Sequence, residues 1–345
     1  MMRVGIAGGG LMGRLMAHWC AQQGWSVAVR EAGPAHPAVL TERAAAYTSA
    51  GMLSPAAEME AGGLPVYEMG LRSMALWPGI HEACDKGFDL QLQGSLLIAH
   101  PTDRGSAERI LRHIQPAAEH APSALSHEAL AELEPALKPR LAAWLLPHEG
   151  HLFPLQALEA LKASTPADWA FDTPVHAVLP GEIQSTKGSE TFDWVFDCRG
   201  RGGHGPSMPV RGVRGEIFTL QPAADTPPLN RPIRLLHPRW RVYLVPRPGG
   251  QIVVGATEIE SEDRSPPSVQ SNLELLSAAF SIMPSLAEAR VVSSDVNLRP
   301  ALPDNLPVVQ TEPGLTRING LFRHGWLLAP ALMEDAAKAM ACSPA

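Results

Sequence analysis

At 345 residues, with 45% apolar and 18% charged side chains, the sequence is that of a globular chain too long for one ordinary core, so two domains are expected. The net charge of −7 and a pI near 6.0 exclude a protein that holds nucleic acid through a broadly basic surface. Any positive charge that matters has to be local, inside a site. Cys20, Cys84, Cys198 and Cys342 show no CxxC spacing or paired pattern, which fits a reducing cytoplasm. No apolar run reaches the roughly 18 residues of a membrane span. Glycines interrupt the apolar start of the chain where a signal peptide would be continuous. No membrane partner is expected.

Arg3 to Ala7 reads as a buried strand, Leu11 to Gln23 as a helix closed by Gly24, and Trp25 to Arg30 as a second buried strand. This βαβ opening predicts a parallel sheet covered by helices. From Ala56 to Pro139 the sequence is more helical and more variable, with a strand over Gln91 to His100 and amphipathic helices over Thr102 to Gln115 and His127 to Leu137. Phe192 to Cys198 is another apolar strand, running into Gly200. Gly215–Leu220, Arg241–Pro246 and Gln251–Ala256 read as antiparallel strands, the last two joined by a proline–glycine turn. Asn272 to Phe280 is a helix, and a strand–turn–helix spans Arg317 to Met340, with the helix from about Leu328 and Pro330 near its first turn.

The fold expected is α/β: a Rossmann-like nucleotide domain, discontinuous over 1–55, 141–205 and 298–345. Into it is inserted an α+β domain over 56–140 and 206–297, built on an antiparallel sheet.

Gly8, Gly10 and Gly13 form G-x-G-x-x-G between the first strand and the first helix. The first glycine permits the tight turn, the second a close approach to a pyrophosphate, and the third close packing of helix on strand. The pyrophosphate would rest on the free N–H groups near Leu11 and Met12. Glu31 ends the second strand, where a carboxylate accepts hydrogen bonds from the ribose hydroxyls of an adenosine. The motif alone leaves NAD and FAD open. His148-Glu-Gly-His151 lies among prolines and reads as a turn, so no metal is assigned.

In Tyr47-Thr-Ser-Ala-Gly-Met-Leu-Ser-Pro-Ala-Ala-Glu58, the small residues Ser49, Ala50 and Gly51 would let the backbone lie against a flat ring. With them, in order, come Arg231-Pro-Ile-Arg-Leu-Leu-His-Pro238, Tyr243-Leu-Val-Pro-Arg247, Val254-Gly-Ala-Thr-Glu258, Leu298-Arg-Pro-Ala-Leu-Pro-Asp-Asn305 and Leu321-Phe-Arg-His-Gly-Trp-Leu-Leu-Ala-Pro330. Together these resemble the FAD-dependent glycine oxidases of thiamine biosynthesis, within the wider D-amino-acid oxidase and sarcosine oxidase group. The resemblance covers essentially the whole chain and is weakest over 56–200.

The resemblance implies an FAD-binding nucleotide domain and a substrate domain, with FAD bound without a covalent link. It places Leu11 and Met12 at the pyrophosphate turn, Glu31 and Ala32 at the ribose, and Val175 at the adenine end. Ala50, Gly51 and Met52 lie against the flavin. Leu321 to Leu327, including Phe322, Arg323, His324, Gly325, Trp326 and Leu327, form the turn that wraps it. Arg299 matches the arginine that binds the substrate carboxylate, and Arg323 a second arginine near substrate and flavin. A guanidinium offers a carboxylate two parallel donors, and Tyr243 can add a hydroxyl. Glu258 and Trp326 depart from the family pattern, at a methionine and an aliphatic position, and either changes the pocket.

The reaction implied is hydride transfer from the α-carbon of a small amino acid (glycine, sarcosine or D-alanine) to flavin N5, with dioxygen as acceptor and peroxide as product. A D-amino-acid dehydrogenase feeding a quinone or carrier, a nicotinamide-dependent dehydrogenase and a non-catalytic dinucleotide-binding protein are the rival readings. Monomer and homo-oligomer are left open.

Overall fold

The computed structural model describes residues 1–35, 44–114, 120–206 and 208–343. Two large sheets carry the architecture. The first has six strands in the order Val308–Glu312, Leu315–Asn319, Trp194–Asp197, Arg3–Ala7, Ser26–Arg30 and Asp168–Ala170. All its pairings are parallel except the first, an antiparallel hairpin. Parallel strands buried on both faces need continuous apolar runs, and Val4, Ile6, Val27, Val29, Val195 and Phe196 supply them. The helices Leu11–Gln22, Pro154–Ala163 and Gly325–Ala341 cover one face through a shared core that includes Leu15, Met16, Leu158, Leu161, Leu328 and Leu332.

The second sheet has eight strands: Arg290–Ala301, Arg211–Gln221, Ile252–Gly255, Arg241–Pro246, Ile233–Leu236, Ser95–Ala99, Ala142–Leu146 and Ser123–Leu125. It is antiparallel except where Ile233–Leu236 runs beside Ser95–Ala99. Its two longest strands, Arg211–Gln221 and Arg290–Ala301, pair along eleven positions with one shift between Thr219 and Leu220. The Val269–Ile282 helix packs Leu275, Ala278, Ala279 and Ile282 onto it. Ala142–Leu146 thus belongs to this sheet, although the residues from 141 were expected on the nucleotide side.

Several elements differ from expectation for local reasons. Gly94, at φ 85°, breaks the expected Gln91–His100 strand into Leu90–Gln91 and Ser95–Ala99. The helices expected from Thr102 and over His127–Leu137 are shorter, at Arg104–His113 and His127–Leu133, and Gln115 lies outside the described residues. The stretch from Ala56, expected to be more helical but given no bounded element there, opens on a helix over Pro55–Ala83 that contains Pro65 and Pro78. The chain bends at Gly63, which has φ 65° and ψ −164°, and helical structure resumes after it. The last helix starts at Gly325 instead of near Leu328, so Pro330 falls beyond the first turn. Pro330 has no N–H for the carbonyl of Trp326. The indole of Trp77 donates to that carbonyl instead, at 3.1 Å.

Candidate active site

An elongated cleft of about 550 Å³ follows the C-terminal ends of Arg3–Ala7, Ser26–Arg30 and Trp194–Asp197, where ligands bind in open parallel sheets. Gly8 lines it at φ 95°, and a Cβ there would lie 2.6 Å from the carbonyl oxygen of Cys198. Gly13 is inside the turn and does not line the cleft. Its Cβ would lie 1.8 Å from the Gly8 oxygen, so only glycine lets the helix seat on the strand. Gly10 caps that helix without a side chain, leaving the N–H groups at Leu11 and Met12 free for an anion. Glu31 and Ala32 line the cleft as well. The Glu31 carboxylate also braces the turn, accepting N–H groups from Gly9 at 2.5 Å and Gly33 at 2.8 Å. Val175 and Gly200 complete this end, and Arg199 Nη1 donates to the Val175 carbonyl at 3.2 Å.

The loop 45–51 forms the next wall, and buried donors from distant elements hold it. Arg14, 2% exposed, donates through Nε to the Gly9 carbonyl at 2.8 Å and through Nη2 to the Tyr47 hydroxyl at 2.7 Å. It thereby ties the glycine turn to this loop. Arg247 Nη2 donates to the Ala50 carbonyl at 2.7 Å, and the Trp326 indole donates to Ser49 Oγ at 2.7 Å. Gly51 is at φ 66°, with a Cβ position 2.3 Å from the Leu152 carbonyl oxygen. Phe322, Arg323, Gly325 and Trp326 line the far end of the cleft.

There the cleft meets a second cavity of about 330 Å³, and Thr48, Ser49, Arg299, Arg323 and Trp326 line both. Ala50, Gly51, Met52, Tyr243, His324 and Leu327 line the second. Two glycines make room for its polar groups. A Cβ on Gly215 would lie 2.5 Å from Arg299 Cζ, and one on Gly255 would lie 2.6 Å from the Tyr243 hydroxyl oxygen. Arg299 donates to the carbonyls of Arg214 at 3.2 Å and Thr257 at 3.0 Å, and has no carboxylate partner among the described residues. Burial lowers its pKa, while the nearby carboxylates act against this. Burial raises the pKa of Tyr243, which keeps its hydroxyl protonated and a donor.

The other arginines of the second cavity are paired. Glu58, in the first turn of Pro55–Ala83, accepts from Arg323 Nε at 2.9 Å and from Arg234 Nη2. Burial pushes the Glu58 pKa up, but the Arg234 and Arg323 guanidiniums outweigh it and hold the group well below the usual carboxylate range. His324 Nδ1 lies 3.1 Å from Glu58 Oε2, without the alignment of a hydrogen bond. Arg323 Nη1 also donates to Glu258 at 3.1 Å, and Arg241 pairs with Glu60 at 3.1 Å. Beneath this layer, buried Glu149 caps the same helix by accepting the Ala57 N–H at 2.9 Å.

A family model described as FAD dependent oxidoreductase matches residues 3–339. The chain belongs to this FAD-dependent oxidoreductase family. It is 35% identical over 338 residues to a putative thiamine biosynthesis oxidoreductase ThiO of Rhizobium etli, covering 98% of this chain and 96% of that one. It is 26% identical over 355 residues to a glycine oxidase of Geobacillus kaustophilus, covering 95% and 89%. A crystal structure of a glycine oxidase from Bacillus cereus superposes with a TM-score of 0.85 at 23% identity, over 99% of this chain and 97% of that one.

As a member of this family the chain is an FAD-dependent enzyme, and the cleft fits such a dinucleotide. Side-chain-free turns at Gly8 and Gly10 sit where phosphates need backbone donors, and an acid faces the expected ribose. Sequence reasoning assigned no role to Arg14, Arg247, Glu58 and Glu149, which brace the walls of the two cavities, or to Gly215 and Gly255, which make room in the second. A charged residue inside an otherwise small or apolar stretch was the available signal for Glu58 and Arg247. Glycines inside strands, which mark close approaches, were the signal for Gly215 and Gly255. His151, expected in a turn, is on the short strand Gly150–Leu152 that pairs with Met52–Leu53. Among the described residues no group of three or more His, Cys, Asp or Glu could hold a metal ion. None of the described helices is long and apolar enough to cross a membrane.

Proposed function

We propose that this enzyme oxidises the carbon–nitrogen bond of a small amino acid of the glycine, sarcosine or D-alanine class. The observation that carries this is the pairing pattern of the second cavity. Arg234, Arg241 and Arg323 are each paired with a glutamate, whereas Arg299 offers its guanidinium with no carboxylate partner among the described residues. A fork of two N–H donors there matches one substrate carboxylate. Tyr243, with its hydroxyl protonated, donates beside it. Anchored so, the substrate presents its α-carbon and amine to the region bounded by Ala50, Gly51 and Met52, and orientation is the chief contribution of the protein.

FAD held there would supply the two-electron chemistry, with the amino acid oxidised and dioxygen reduced to peroxide. Gly8, Gly10, Leu11, Met12, Glu31, Ala32, Val175 and Gly200 would hold the adenosine and pyrophosphate, and 50–52 with 322–327 the ring. The positive end of the Gly325–Ala341 helix, at the far end of the cleft, would favour negative charge on that ring. Binding is non-covalent in this reading. Cys198 lines the cleft, but burial and the neighbouring Asp197 push its thiol well above the usual range, so it stays protonated. Residues 1–55, 141–205 and 298–345 would form the FAD-binding part, except for the Ala142–Leu146 strand. Residues 56–140 and 206–297 would form the substrate part. The enzyme would act in the cytoplasm and supply an imine for thiamine thiazole formation.

The test is anaerobic bleaching of the bound flavin by glycine, sarcosine and D-alanine, with a simple amine lacking a carboxylate as control, followed by admission of air. Arg299→Ala should lose roughly a hundred- to several-thousandfold in kcat/KM for the amino acids. It should retain its FAD and discriminate far less with the amine. Wild-type kcat/KM for all three amino acids in Arg299→Ala would refute the carboxylate role. Bleaching that air does not reverse would favour a dehydrogenase that uses another acceptor.

A further inference from the structure

The second cavity is lined by four arginines (Arg234, Arg241, Arg299, Arg323) and three glutamates (Glu58, Glu60, Glu258). The contacts sort these charges. Glu60 takes Arg241, Glu58 takes Arg234 and Arg323, and Glu258 takes the remaining Nη1 of Arg323. Among the described residues this leaves one positive charge of the cavity, at Arg299, without a carboxylate partner. The two acids on Arg323 differ in place: the Glu58 side chain is 9% exposed and belongs to the floor, while that of Glu258 is 47% exposed and stands at the rim.

We propose that Glu258 is a specificity-determining residue, whose carboxylate reserves the cavity for amino acids with one acidic group and rejects those with a second near the amine or α-carbon. This rests on the reading that Arg299 receives the substrate carboxylate. The backbone places Glu258 beside that receptor, because the carbonyl of the preceding residue, Thr257, accepts from Arg299 Nη2 at 3.0 Å. On its other side Glu258 accepts from Arg323 at 3.1 Å. A first substrate carboxylate therefore uses Arg299, the guanidinium of the cavity with no carboxylate partner among the described residues. A second would meet Glu258 directly and find Arg323 already engaged by two acids. Rejection by an unpaired like charge is a general route to specificity. Neutral substituents face no such barrier, since Met52, Leu97, Leu236 and Leu327 also line the cavity.

The experiment compares wild-type, Glu258→Gln and Glu258→Asp holoenzymes in two ways. One is kcat/KM for glycine and for iminodiacetate, which is glycine with a carboxymethyl group, and so a second carboxylate, on nitrogen. The other is titration of the flavin absorbance with acetate and malonate as non-reacting probes. In Glu258→Gln the iminodiacetate-to-glycine ratio should rise at least about tenfold, mainly through KM, and the malonate-to-acetate affinity ratio should rise likewise. Glu258→Asp, which restores the charge, should keep the wild-type ratios. Ratios unmoved in Glu258→Gln, or equal losses for both substrates, would overturn the proposal and leave Glu258 a strut for Arg323. If neither glycine nor acetate perturbs the wild-type flavin, the carboxylate reading itself fails and this proposal with it. Normal responses to glycine and acetate with unmoved ratios would remove the Glu258 assignment alone.

Discussion

Arg247 Nη2 donates to the carbonyl of Ala50 at 2.7 Å, joining residues 197 positions apart and fixing the loop expected against the flavin. The guanidinium is 8% exposed, lies 5.3 Å from the Phe153 ring, and has its pKa lowered by burial to about 10. Arg247→Leu leaves the Ser49 and Ala50 carbonyls without this donor, and a buried group left unpaired costs about 1–3 kcal/mol. FAD affinity should fall roughly ten- to a hundredfold. Equilibrium binding of FAD to the apoprotein measures this. Unchanged affinity would show that the loop holds itself.

Gly215 leaves space that the Arg299 guanidinium fills. Gly215→Ala puts a methyl group 2.5 Å from Arg299 Cζ, so the side chain has to move. KM for amino acids should rise about tenfold or more while the flavin spectrum and FAD affinity stay near wild type. Steady-state kinetics beside an FAD titration separates the two. A fall in FAD affinity with KM unmoved would contradict the placement.

Glu31 has two tasks in this geometry, facing the cleft and accepting the Gly9 and Gly33 N–H groups. Losing charge-assisted hydrogen bonds costs roughly 1.5–3 kcal/mol, so Glu31→Ala should weaken FAD binding about ten- to a hundredfold. Because Glu31 braces the turn without the cofactor, the melting temperature of the apoprotein should fall too. A drop confined to the holoenzyme would argue that the bracing is unimportant.

His151 gives the fold a pH dependence of known sign. Burial, and secondarily the Arg247 charge, lower its pKa from 6.5 to about 4, with Asp89 acting the other way. Between those values the unfolded chain binds the extra proton and the folded chain does not. Its contribution is therefore fully present above pH 6.5 and is lost as pH falls toward 4. The loss is on the order of 3 kcal/mol. Urea unfolding at pH 7 and pH 5 for wild type and His151→Gln checks this. A pH slope as steep in His151→Gln as in wild type would place the dependence elsewhere.

What was legible in the sequence is what is local. The three glycines of the first turn sit within six residues, and their spacing alone dictates the turn, the helix start and the close packing at Gly13. The apolar runs at Arg3–Ala7 and Ser26–Arg30 identify themselves for the same reason. Glu58 shows the opposite case. Its partner Arg234 is 176 residues away, and nothing near Glu58 in the chain says which arginine will meet it. Gly215 is similar, since it acquires meaning only from the strand that carries Arg299 beside it. Residue type says that a close approach exists, but only the pairing register says with what.

That register has an evolutionary reading. Arg299 lies near the end of a strand whose exposed positions include Val291, Val292 and Ser294, and most of these side chains have little to constrain them. The number of residues is constrained instead. A single insertion or deletion before Leu298 would turn the Arg299 guanidinium to the opposite face of the sheet. This segment should therefore tolerate wide drift in composition while its length stays fixed.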